Sequence, residues 1–151
     1  MRNMAVRSLD DVMIVTLNTH NPTDAEWEEA VSLGKTLLAK AGEVARTGAI
    51  VFTEGGAPNS KQRQKLRELY GATPPPMALV TDSVIARGTI AVFSIFWPST
   101  NAVFSPADWG KALRHAGLKP ERDGEVVALL RAMEAEVGKL AVLAPILATR
   151  P

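Results

Sequence analysis

The stretch Ala49-Ile-Val-Phe-Thr-Glu-Gly-Gly-Ala-Pro-Asn-Ser-Lys61 decides how the chain is to be read. An apolar run stops at two glycines, and a polar stretch with helix-capping residues follows. Short and rich in β-branched and aromatic residues, the run from Gly48 to Phe52 reads as a strand. Gly55-Gly56 then reads as a sharp turn, and Asn59 or Ser60 as the cap of a helix. A strand that is apolar throughout is expected to be covered on both faces, as parallel strands between helices are. In an open α/β sheet such a junction lies at the carboxyl edge of the strands, where sites are usually built.

Outward from this junction, the same alternation recurs. Residues 4–9 and 12–18 flank Asp10-Asp11 and predict an edge strand, a turn and a central strand. Thr23-Asp-Ala-Glu26 is a capping-box pattern. Trp27, Ala30, Val31, Gly34, Leu37, Leu38 and Ala41 follow at helical spacing, so a core-facing helix is expected over 24–41, ended by Gly42. The stretch from Asn59 to Glu68 predicts a mostly exposed helix, with Leu66, Leu69 and Tyr70 at its end. Thr73-Pro-Pro-Pro76 delivers an extended chain into a third buried strand, Met77 to Thr81. Asp82 or Ser83 can cap a further helix with the apolar stripe Val84, Ile85, Gly88, Ala91, Val92, Ile95 and Phe96, which Trp97-Pro98 breaks. A short last strand, Ala102 to Phe104, precedes Ser105-Pro106-Ala107-Asp108, a helix start that leads to a stop at Gly117. Core packing is the first reading for Trp27 and Trp109.

The tail differs. Val126, Leu130, Met133, Val137, Leu140, Ala144 and Leu147 repeat at 4-3-4-3-4-3, which predicts one long amphipathic helix, kinked or ended near residue 144 by Pro145. Such a seam either packs back on its own domain or forms an association surface, with Val126, Leu130, Met133, Val137 and Leu140 at its centre. The expected architecture is α/β: a mixed, mostly parallel sheet of four or five strands with helices packed on it over residues 1–118, plus the C-terminal amphipathic helix over 119–151.

Composition excludes several function classes. Seventeen basic residues against sixteen acidic ones leave a net charge of +1, which offers no field for nucleic acid or another polyanion. Cysteine is absent, so there are no disulfides, thiolate ligands or thiol nucleophiles. His20 and His115 lie too far apart in sequence to suggest a zinc site, and no metal or cofactor is expected. The N-terminal residues carry no apolar signal core. No run reaches the roughly 20 apolar residues of a membrane helix. These features predict a cytoplasmic protein with no integral membrane association.

If the strands run parallel, their carboxyl ends gather Asn18, Thr19 and His20, then Thr53, Glu54, Gly55 and Gly56, then Thr81, Asp82 and Ser83. Helix starts near Asn59-Ser60 and Asp82-Ser83 would aim free N–H groups at the same edge. The candidate ligand- or partner-binding residues are therefore His20, Glu54, Gly55, Gly56, Asn59, Ser60, Asp82, Ser83 and Arg87. Each has a plainer reading as well: caps for Asn59, Ser60, Asp82 and Ser83, a loop residue for His20, a solvated or N–H-bonded carboxylate for Glu54, an ion pair for Arg87. The loop lacks the closing Gly-Lys of a phosphate-binding P-loop and contains Pro58. Neither a Gly-x-Ser-x-Gly elbow nor a Gly-x-Gly-x-x-Gly fingerprint occurs, and no catalytic set is legible.

The order of elements over residues 4–117 resembles the STAS domains, the anti-sigma-factor-antagonist fold, and in particular divergent STAS-like proteins related to the lipid-binding Sec14 type. In regulatory STAS domains the loop matching Thr53 to Ser60 carries an Asp-Ser-Ser/Thr-Gly phosphoswitch. Here Ser60 alone stands in for the phosphoacceptor, and the flanking aspartate and glycine are missing. The resemblance implies a non-enzymatic regulatory or protein-interaction module that binds a protein partner or self-associates, with Ser60 as a candidate phosphosite. The alternative is a small-ligand or lipid-binding domain, or a weakly specified enzyme, with its site at the carboxyl edge of the sheet.

Overall fold

In the computed structural model, which describes residues 1–82 and 101–148, β1 (Met4–Leu9) and β2 (Val12–Leu17) form an antiparallel hairpin. Asp10 turns the chain with φ at 54°, a left-handed conformation that aspartate tolerates better than most side chains. β3 (Gly48–Thr53), β4 (Met77–Val80) and β5 (Asn101–Phe104) then join parallel to β2, giving a five-stranded mixed, mostly parallel sheet in the order β1-β2-β3-β4-β5. The helix expected after Asp82, the Trp97-Pro98 break, and the candidates Ser83 and Arg87 lie outside the described residues.

The period of two along each strand sorts the sheet into two apolar faces. Met13, Val15 and Leu17 share one face with Ala49 and Val51; Val12, Ile14 and Thr16 share the other with Ile50, Phe52, Ala78 and Val80. Helix α1 (Asp24–Ala41) connects β2 to β3, and α2 (Ser60–Tyr70) connects β3 to β4. Both crossovers step in the same direction along the sheet. Right-handed connections of that kind place both helices on the same face. Trp27, Ala30, Val31, Leu37, Leu66 and Tyr70 accordingly pack on the Met13 face. Thr23 and Glu26 close the expected capping box of α1, and Asn59 with Gln62 closes a second one at α2. Asn59 is thus the cap, and Ser60 is the first helical residue.

The opposite face is covered by the chain's last third. Ser105 stands before a 3-10 turn, Pro106–Asp108, and α3 (Trp109–Ala116) begins only after that turn. α3 lies over β3, β4 and β5, while α4 (Asp123–Val137) lies over β1 and β2. Val126, Leu130, Met133, Val137 and Leu140 are all at most 3% exposed, within one core with Ile14, Ile50, Phe52 and Val80. The five seam residues are therefore consumed by the chain's own sheet and form no free association surface.

Nor is the tail one long helix. Gly138, at φ 92°, ends α4 well ahead of Pro145. Leu140 then stands in extended backbone, a 3-10 turn covers Ala141–Leu143, and a short α5 (Ala144–Leu147) carries Pro145 in its first turn. The break resets the register: Ala144 is exposed, and Val142, Leu143 and Ile146 take the buried positions. Among the described residues no helix is long and apolar enough to cross a membrane.

Burying an aliphatic side chain contributes about 1.5–3 kcal/mol, so the tail's apolar residues together contribute on the order of 10 kcal/mol, an upper estimate. That is comparable with the whole net stability of an ordinary domain, about 5–15 kcal/mol. A chain ended at Leu118 is therefore expected to lose its cooperative thermal transition and its near-ultraviolet circular dichroism. A cooperative melt with native-like signal would show the tail to be dispensable. A second expectation concerns Thr16, which is fully buried and whose hydroxyl has no hydrogen-bond partner among the described residues. Replacing an unsatisfied hydroxyl by a methyl of the same shape removes a desolvation penalty of about 1–3 kcal/mol. Thr16→Val should raise the melting temperature by about 3 °C or more; a lower value would mean that the hydroxyl is bonded.

Candidate functional site

The carboxyl edge of the sheet is built from two loops, 18–23 after β2 and 54–59 after β3, together with Thr81 and Asp82 after β4. The two loops hold each other. The Gly56 N–H donates to the Asn18 carbonyl (2.8 Å), and the Ala57 N–H donates to Asn21 Oδ1 (3.1 Å). Thr53 Oγ1 donates to the Gly56 carbonyl (2.9 Å) and accepts from the Gly55 N–H (3.0 Å), which closes the turn on the strand end. Gly56 is required by contact: a Cβ there would lie 2.2 Å from the His20 carbonyl oxygen and 2.6 Å from that of Asn18. Gly55 is required by conformation, with φ at 133°.

Asn18 extends the network to both ends of the chain. Its Nδ2 donates to the carbonyls of Arg2 (3.1 Å) and Val137 (3.4 Å), and its Oδ1 accepts from the His20 N–H (2.8 Å). The Glu54 carboxylate accepts from the Val142 N–H, so it clips the tail to the end of β3. This is the N–H-bonded carboxylate of the plainer reading. Under the loops, Trp27 Nε1 donates to the Gln62 carbonyl (2.7 Å), and Gln62 Nε2 donates to the Pro22 carbonyl (3.1 Å) and Asp24 Oδ1 (3.1 Å). Gln62 thus caps its own helix and ties α2 to the start of α1.

The predicted candidates separate into two groups. Glu54, Gly55, Gly56 and Asn59 have the structural tasks just described. His20, Ser60 and Asp82 are exposed, with Arg63 Nη2 donating to Ser60 Oγ (3.2 Å) and Arg63 Nη1 to the Pro58 carbonyl (2.8 Å). Among the described residues no hydrogen bond joins the side chains of His20, Glu54 and Asp82, and no group of three or more His, Asp or Glu could hold a metal ion. Burial pushes the Tyr70 phenol up to about 12, out of reach of proton transfer near neutrality. The linking residues Asn18, Asn21 and Gln62 were missed as candidates, because their partners lie up to 119 residues away.

Beneath the loops, an apolar groove of about 70 Å³ opens on the sheet face, with Thr53, Gly56 and Pro58 among its lining. A cavity that admits benzene measures about 150 Å³, and ligand pockets about 300–1,000 Å³. The groove is too small for either. A broader depression of about 480 Å³ lies at the opposite, amino end of the sheet. Arg122 there forks onto Asp10 (3.0 and 3.1 Å) and bonds Glu125, Arg46 bonds Glu43, and Asp11, Lys119 and Glu121 also line it.

One further carboxylate holds the N-terminus to this edge. Glu26 is buried and accepts from the N–H groups of Thr23 (2.8 Å), Asn3 (2.8 Å) and Met4 (3.2 Å). Burial opposes its ionisation, but the backbone donors of Thr23, Met4 and Asn3 outweigh burial and hold the pKa below its ordinary 4.5. A folded-state pKa below the unfolded one stabilises the fold above the unfolded value and is lost as pH falls through the folded value. Glu26→Gln should therefore lower the neutral-pH stability by about 1–3 kcal/mol and flatten the decline of the melting temperature below about pH 4.5. An unchanged acid profile would remove this role. For the loop contact, Gly56→Ala is expected to lower the urea midpoint by the equivalent of about 1–3 kcal/mol, since two backbone carbonyls cannot give way cheaply; an unaltered midpoint would contradict the close approach.

No family model matches the chain, and neither a curated protein nor a solved structure matches it.

Proposed function

We propose that this chain is a non-enzymatic regulatory or protein-interaction module of STAS-like type, which binds a protein partner through the loops at the carboxyl edge of its sheet. One observation carries the reading: the polar groups of that edge bond to one another. Asn18, Asn21, Thr53 and Gly56 lock the two loops together, and Glu54 holds the tail. A catalytic or ligand site keeps polar groups converging on a cavity. Here they make a fixed platform that presents His20, Asn59, Ser60 and Asp82 to solvent.

The STAS-like assignment is supported by the succession of elements, an edge hairpin followed by parallel strands and crossover helices. It is also supported by the place of Ser60, the first residue of α2, beside Arg63. Phosphate on Ser60 would add up to two negative charges at a helix N-terminus with a guanidinium in reach, and would change what the platform recognises. The module works in the cytoplasm on this reading. Self-association through the tail seam is not carried forward, because the seam is buried in the chain's own core. The alternative, a small-ligand or lipid site at the same edge, asks for a cavity of about 300–1,000 Å³ there, and the groove beneath the loops measures about 70 Å³.

The test is photo-crosslinking in the native host, with a benzophenone amino acid placed at His20 or Ser60 and, as the control, at Ala45 near the opposite edge. Discrete adducts to one protein from positions 20 and 60, and none from 45, are expected. Adducts from all three positions alike, or from position 45 alone, would overturn the assignment of the surface.

A further inference from the structure

We draw no further inference here: the strongest candidate, the apolar groove on the sheet face beneath Trp27 and Leu66 that runs out to the half-exposed Val103 of β5, carries none because nothing in the structure shows what covers it.

Discussion

Two right-handed crossovers that step in the same direction can cover only one face of a sheet, and most of this structure follows from that constraint. α1 and α2 sit side by side over Met13, Val15 and Leu17, which leaves Ile14, Ile50, Phe52 and Val80 facing away from both helices. A sheet that is apolar on both faces cannot leave one of them in water. The last third of the chain meets this demand. α3 covers the β5 side, α4 runs back over β1 and β2, and the segment from Leu140 to Leu147 folds into the same core. The C-terminal seam is thus part of the domain's own interior. Its width, with Val127 and Leu129 packed half-buried at its border, suits a sheet better than a single partner helix.

The same arrangement explains why the carboxyl edge is so densely hydrogen-bonded. The N-terminal residues, the loop after β2, the loop after β3 and the tail all meet there, and each brings backbone groups that need partners. Asn18 satisfies two carbonyls from opposite ends of the chain, Glu26 gathers three N–H groups, and Glu54 takes one from the tail. Polar side chains that looked available for chemistry are needed to hold chain segments together. What remains exposed at that edge is the outward rim of the loops, with His20, Ser60 and Asp82.

Much of this was legible locally. The capping box at Thr23 and Glu26 could be read from four residues, because a cap and its partner lie within one helical turn. The limits of β1, β2, β3 and α1 were legible for the same reason. The choice between Asn59 and Ser60 as cap stayed open on residue type, since both are good caps, although the Asn-x-x-Gln spacing of a second capping box was there to be read. It was settled by Gln62, three residues after Asn59, whose side chain bonds back to the Asn59 N–H (2.9 Å). The single long tail helix was an overextension. Its heptad spacing continues past Gly138, and a glycine inside an apolar repeat costs only about 1 kcal/mol of helix propensity, too little to announce a break.

The sequence by itself determined the α/β class, the alternation of strands and helices, the glycine turn after β3 and the helix starts. All of these depend on neighbours a few positions apart. Only the tertiary structure decided that the seam at Val126 to Leu140 packs in cis, that α4 ends at Gly138, and that Asn18, Glu26, Glu54 and Gln62 are clasps. The physical reason is common to all three. An apolar stripe or a polar side chain states a need for a partner, but its identity depends on which segments the sheet brings within a few ångströms. The partners of Asn18 and Glu54 lie 119 and 88 residues away, beyond any local pattern.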